Sequence, residues 1–114
     1  MFTAMTESAQ LLLSTVPDPA TGERIATALV GEGLAACVNI LPGLTSIYQW
    51  QGEIHRDAEC LLLIKTRKSL YSQVESRLLA LHPYELPELL AVPVNTGLAA
   101  YLQWIQDNTQ VPTT

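Results

Sequence analysis

An α+β fold, with a four-stranded antiparallel sheet covered on one face by two helices, is what the sequence predicts. Two observations carry that expectation. Strand-like and helix-like stretches follow one another as β-α-β, β-α-β along the 114 residues, the order of a ferredoxin-like split βαβ. The helix-like stretches repeat apolar residues at helical spacing, whereas the others are short apolar or alternating runs bounded by Gly and Pro. A chain of this length buries roughly two-thirds of its unfolded surface, enough for one core. The domain is expected over residues 10–108, with 1–9 and 109–114 as flexible ends and a short C-terminal helix.

The first strand is read at QLLLSTV, residues 10–16, and Pro17, Asp18 and Pro19 end it. Asp18 can accept from the free N–H groups of the next helix, and Pro19 suits its first position. That helix is expected to reach about Glu32, with Ile25, Ala28 and Leu29 on one face and Gly31 and Gly33 placed to stop it. From Leu34 to Trp50 the pattern is extended, with a break at Pro42–Gly43. Ser46, Tyr48 and Trp50 share one face of the second piece. Gln51–Gly52 reads as a two-residue hairpin turn. The return strand EIHRDAECLLLIKT is polar near the turn and apolar from Cys60 onward, so the tip should leave the domain while the base enters the core. Tyr48 and Trp50 on such a tip expose apolar surface that calls for a partner.

A second helix is expected from Lys68 to Leu81, with Leu70, Val74, Leu78 and Leu81 at helical spacing. Pro83 disfavours helical geometry at His82 and stops it. ELLAVPV reads as a further strand, its Pro93 tolerated only at an edge or end. After Gly97 a last helix should carry Leu98, Tyr101, Leu102 and Ile105 on one stripe, with Trp104 off it.

Charge and composition exclude several functions. A net charge of −5 with only six Lys and Arg argues against nucleic acid and against anionic membranes. No apolar run approaches membrane-spanning length. The opening residues show neither a basic n-region nor an apolar h-region, so no secretory signal is expected. Two cysteines without a CxxC spacing suggest neither a zinc ribbon nor a disulfide scaffold, and point to a reducing cytoplasm.

The chemistry-bearing residues gather around LHPYELPELLAVPV, residues 81–94. His82 is the leading candidate, because a neutral imidazole ligates Cu(II) or Zn(II). Its alternative is a histidine that ends a helix and hydrogen-bonds a neighbour. Pro83 and Pro87 would present His82, Glu85 and Glu88 rigidly. Cys37, in an apolar strand, is either a small core residue or a soft ligand for Cu(I). Lys65 closes LLLIK and is expected to pair with Glu88 or Glu85 across the strand ends. Glu59 is a further charge at a sheet margin, His55 is expected to be solvated, and Cys60 to be core.

AACVN, PGLTSIYQWQG and HPYELPE, with LLLIKTR and AYLQWI, resemble in order and spacing the CutA divalent-cation-tolerance family over roughly residues 10–106. The resemblance implies a ferredoxin-like subunit, similar to the nitrogen-regulatory PII proteins, in a homotrimer whose long hairpins embrace neighbouring subunits. It implies copper or another divalent cation as the bound ion, a role in metal tolerance, and no catalysis. It also implies that Lys65, Tyr84, Tyr48 and Trp50 line clefts between subunits. Tyr48 and Trp50, with Trp104, are the residues expected at the trimer interface. Copper-binding members can carry a cysteine where this chain has Ser14 and a second histidine where it has Leu81, so modest copper affinity is expected. The alternative is a PII-like sensor binding an anionic ligand between subunits and signalling to a protein partner. A hydrolytic reading lacks GxSxG or HExxH support.

Overall fold

The structure, a computed structural model, describes residues 7–111, and the expected flexible ends fall partly outside that range. Its elements are β1 (Ala9–Val16), α1 (Pro19–Gly31), β2 (Cys37–Trp50), β3 (Glu53–Arg67), α2 (Tyr71–Leu81), β4 (Leu90–Pro93) and α3 (Ala99–Asp107). The four strands form one sheet in the order β2-β3-β1-β4, every pairing antiparallel. This is the expected split βαβ, with α1 and α2 on one face.

Local chemistry sets each boundary. Asp18 is extended at φ −158° and accepts from the Thr21 N–H at 2.7 Å, which caps α1. Gly33 sits at φ +71°, and the Leu34 N–H reaches back to the Leu29 carbonyl at 2.9 Å, a C-terminal wrap that favours glycine. The first turn of the expected second helix is instead a 3-10 turn, Lys68–Leu70, before α2 proper. Glu7 caps this entry from afar, accepting from the Ser69 N–H at 2.7 Å.

The expected break at Pro42–Gly43 does not interrupt β2. Leu41 pairs with Leu61 and Leu44 with Glu59, so Pro42 and Gly43 together oppose Cys60 alone. That is a β-bulge, and Gly43 takes φ +83° within it. The ribbon therefore runs unbroken to Gln51 and Gly52, both at positive φ, the mirror-image turn that suits a twisted hairpin. It gives the molecule its long axis of 59 Å against 26 and 23 Å across.

Alternation along β1 and β3 separates two faces. Leu12, Val16, Leu62 and Ile64 are fully buried against Ile25, Leu29, Val74 and Leu78 of the helices. Cys60 joins this core, as expected. The opposite face is aliphatic and bare: Leu11, Leu13, Leu61 and Leu63 are half-buried, and Leu41, Leu90 and Val92 are exposed. At one end of that face α3 docks through Leu102 and Ile105 onto Ala9 and Ala36. The seam is too narrow to cover the whole expected stripe. Leu98 is left 76% exposed, and Tyr101 stays on the surface, stacked on Trp104 at 5.5 Å.

Arg67, 6% exposed, holds this end together. Its guanidinium donates to Thr109 Oγ1 at 3.0 Å and to the carbonyls of Thr109 and Gln110 at 2.8 and 2.7 Å, and pairs with Glu7 at 3.5 Å. Glu7 and Thr109 both lie outside the expected domain bounds. Burial works against ionisation of Glu7, but its bonds to Ser69 and the Arg67 charge hold its carboxyl below the usual value.

Arg67→Met leaves buried carbonyls without donors, and is expected to cost about 3 kcal/mol, against less than about 0.5 kcal/mol for the exposed Arg56→Met. Urea unfolding at one fixed protein concentration checks this, with amide exchange in α3 rising only in the Arg67 variant.

Candidate functional site

The segment between α2 and β4 crosses the end of β1 and lies against the base of the β2–β3 hairpin. Pro83 holds His82 extended at ψ 134°, which ends α2 and turns the chain across the sheet. Ser14, fully buried on β1, donates to the Glu88 carbonyl at 2.7 Å and pins the far side of the corner. His82, 8% exposed, pins the near side.

Both ring nitrogens of His82 are engaged. Nε2 lies 2.8 Å from the Thr15 carbonyl and Nδ1 accepts from the Tyr84 N–H at 3.2 Å. A carbonyl only accepts and an amide N–H only donates, so the ring carries its proton on Nε2. A metal reaching this imidazole would have to displace the Tyr84 N–H from Nδ1. The Tyr84 ring packs on the imidazole at 4.7 Å.

Between the corner and the hairpin lies an open cleft of about 700 Å³. The aromatics Tyr48, Trp50 and Tyr84 line it, together with four carboxylates, Asp57, Glu59, Glu85 and Glu88. Among the described residues, no lysine or arginine does. The β2–β3 register builds this surface: Ser46 faces Asp57, Tyr48 faces His55 and Leu44 faces Glu59. Two phenol–carboxylate pairs organise it. Tyr84 donates to Glu59 Oε2 at 2.6 Å, and Tyr48 donates to Asp57. Burial, and then the Glu59 bond, raise the Tyr84 phenol well above its ordinary value. The bond to Asp57 raises Tyr48. Desolvation, and then the Glu59 charge, push the Glu88 carboxyl up.

The expected site residues are only partly brought together. Tyr48, Trp50, Tyr84, Glu85 and Glu88 share the cleft, and His82 lies just behind it. Cys37 and Lys65 do not. They pair with each other across β2 and β3, level with Leu11, four residues from Thr15 along β1 and so roughly 13 Å away. The expected pairing of Lys65 with Glu88 or Glu85 is not formed; its ammonium donates to Asn39 and lies 3.6 Å from Cys37 Sγ. Among the described residues, no three His, Cys, Asp or Glu side chains converge as a ready metal site. His55 stacks on Tyr48 at 5.4 Å, and is therefore not simply solvated. Trp104 lies at the opposite end of the molecule from Trp50. Asp57 was missed by sequence reasoning, and Glu59 noted only as a marginal charge. The alternation of His55, Asp57 and Glu59 opposite Ser46 and Tyr48 was the signal for both.

A ferredoxin-like fold with a long hairpin and an acidic, aromatic cleft alongside that hairpin is the class these features define. The profile of the CutA1 divalent ion tolerance protein family matches residues 10–108, and the chain belongs to that family. It is 51% identical over 100 residues to the divalent-cation tolerance protein CutA of Thermus thermophilus, covering 88% of this chain and 97% of that one. A solved structure of the Thermus protein superposes with a TM-score of 0.87 at 50% identity, covering 90% of this chain and 99% of that one. The rice protein CutA 1, chloroplastic, is 42% identical over 108 residues, 95% of this chain but 61% of that longer one. The crystal structure of CutA1 from rice has a TM-score of 0.90, covering 92% and 96% of the two chains. A structure named as the periplasmic divalent cation tolerance protein of Archaeoglobus fulgidus matches with a TM-score of 0.87 at 34% identity, covering 90% and 99%. None of these names specifies a reaction.

Two outcomes check the site. His82→Ala strips a donor from the Thr15 carbonyl and an acceptor from the Tyr84 N–H, and should cost about 2 kcal/mol in urea unfolding. Because folding raises the Glu88 pKa, its ionised form opposes stability at neutral pH, and has no effect below the ordinary value of 4.5, where folded and unfolded chains are both protonated. Glu88→Gln is expected to melt above the wild type at neutral pH, with the difference closing as pH falls toward 4.5.

Proposed function

We propose that the protein is a homotrimeric, non-catalytic binder of divalent cations that acts in cation tolerance, with copper(II) among the ions it takes. Family membership supports the tolerance role. The observation that carries the reading is the charge of the cleft: among the described residues, four carboxylates and no lysine or arginine line it. Carboxylate oxygens suit hydrated divalent ions, and His82 behind them is the nitrogen donor that copper favours. Cys37 is too far away to join them. An anionic ligand, as a PII-like sensor would bind, meets like charge here. No described helix is long and apolar enough to cross a membrane. A cytoplasmic location belongs to the same reading, on cysteine usage alone.

The bare aliphatic face of the sheet supports assembly. Leu11, Leu13, Leu61, Leu63, Leu90 and Val92 lie on one continuous surface, flanked by an exposed hairpin. Each large aliphatic side chain that is covered contributes about 1.5 to 3 kcal/mol. Tyr48, Trp50 and Trp104 extend that surface toward both ends.

Light scattering at micromolar concentration should return a trimer mass for the wild type, and a smaller species for Leu63→Asp; a monomeric wild type contradicts the assembly. Copper titration of metal-stripped protein should show affinity on the order of micromolar, about −8 kcal/mol, weakened about tenfold in an intact His82→Ala trimer. Absence of saturable binding by copper, or by any other divalent ion, removes the cation reading.

A further inference from the structure

Cys37 and Lys65 stand outside the cleft, and the cation reading gives neither of them a task. They are direct cross-strand partners on β2 and β3, and the Ala36 N–H donates to the Lys65 carbonyl at 2.9 Å beside them. Lys65 Nζ lies 3.6 Å from Cys37 Sγ and donates to Asn39, two residues further along β2. Among the described residues no carboxylate pairs with this ammonium, although the chain carries eleven acids. The amine is held over sulfur by an amide oxygen and is not drawn away by an acid.

The Cys37 thiol has no second thiol within reach. Cys60 lies five residues from Lys65 along β3, roughly 17 Å away, and faces the helix-covered core. A disulfide needs Cα atoms within about 7 Å of each other. Cys60 is buried, whereas Cys37 is half-buried at the start of an edge strand. A small oxidant therefore meets Cys37 first, and the nucleophile waiting beside the oxidised sulfur is nitrogen.

We propose that Cys37 and Lys65 are a peroxide-sensitive pair whose oxidation product is a reversible sulfur–nitrogen bond between β2 and β3. Hydrogen peroxide transfers one oxygen to the thiol, giving the sulfenic acid and water. The ammonium then gives a proton to solvent, and the amine lone pair attacks sulfur. The S–O bond breaks, and hydroxide leaves with a second nitrogen proton as water. Sulfur is oxidised, the peroxide oxygens are reduced, and nitrogen keeps its oxidation state. The flexible four-carbon stem of lysine closes the gap without backbone movement. A dithiol reverses the step: one thiol attacks the Cys37 sulfur and releases the amine, and the other then frees Cys37. The bond joins residues 28 apart in sequence and removes a positive charge from the sheet surface. A cross-link of that span restricts the unfolded chain, so the oxidised protein is the more stable one.

Peptide mapping of the full chain tests this. Protein stripped of metal over a chelating resin is treated at micromolar concentration with hydrogen peroxide, quenched with catalase and digested with trypsin without reductant. The expected product joins the Cys37 peptide to a 57–67 peptide left uncut after Lys65, lighter than its two parts by two hydrogens. Dithiothreitol should separate the two. The urea midpoint should rise on oxidation and return on reduction. Lys65→Arg keeps the charge but presents a poor nucleophile, so it should lose the cross-link and leave Cys37 as a sulfenic or sulfinic acid. Lys68→Arg, on the exposed entry to α2, should keep the cross-link. Ordinary cleavage after Lys65 in the oxidised wild type, a product joining Cys37 to Cys60, or a cross-link surviving in Lys65→Arg would each overturn the proposal. The cleavage readout needs only the wild type, so it decides the matter even where a variant fails to fold. No metal takes part, and the result is independent of the copper titration.

Discussion

The register of β3 against its two neighbours is the constraint on which the rest of this molecule depends. In one fifteen-residue strand, alternate side chains enter the helix-covered core, face the bare sheet surface, or build the acidic wall of the cleft. A slip of one residue would carry Leu62 and Ile64 out of the core and turn Asp57 away from Tyr48. Two buried contacts oppose such a slip. Leu12 sits opposite Ile64 in the centre of the core, and Arg67 is anchored at the strand's end. The bulge at Pro42–Gly43 then re-phases β2 once, so that Ser46 and Tyr48 meet the acidic residues of the outer ribbon.

The corner after α2 shows how a rigid support can keep an unfavourable cluster of charge in place. His82 and Ser14 tie it to β1 through two carbonyls, and the two prolines limit the ways it can relax. The like charges of Glu59 and Glu88 cannot spread apart by moving the loop. Glu59 is answered instead by the Tyr84 phenol. Stability is given up locally to hold an acceptor surface already arranged, a division of costs common at binding sites.

Much of the fold was legible because its signals are local. Asp18 with Pro19, Gly33, the Gln51–Gly52 turn and the change in polarity at Cys60 each mark a boundary through backbone chemistry alone. The bulge was not legible, since Pro and Gly in sequence read as a stop, whereas two residues opposite one keep the ladder running. How far the α3 stripe is covered was not legible, for a similar reason. Helical spacing says which residues share a face, and only the docking seam at Ala9 and Ala36 decides how much of that face is covered. At the site, the proline-stiffened corner stood out in the sequence, but its partners did not. Glu59 lies 25 residues from Tyr84, and nothing in either segment announces the other. Lys65 shows the converse: its expected acidic partner gave way to Cys37 and Asn39, which the antiparallel register places alongside it.

The Arg67 cluster has a topological consequence. One guanidinium touches Glu7 near the start of the described chain and Thr109 and Gln110 near its finish. Residues 7 and 109–110 thus meet at a single side chain, and a short linker joining the described segment there would close it into a ring. The ring could then be reopened at Gln51–Gly52, the exposed hairpin turn farthest from the core, making the outer ribbon the new extremities. Such a rewired chain would keep every strand neighbour while losing the shortest connection in the sheet. It would separate the contribution of that turn to assembling the ribbon from the contribution of the side chains along it.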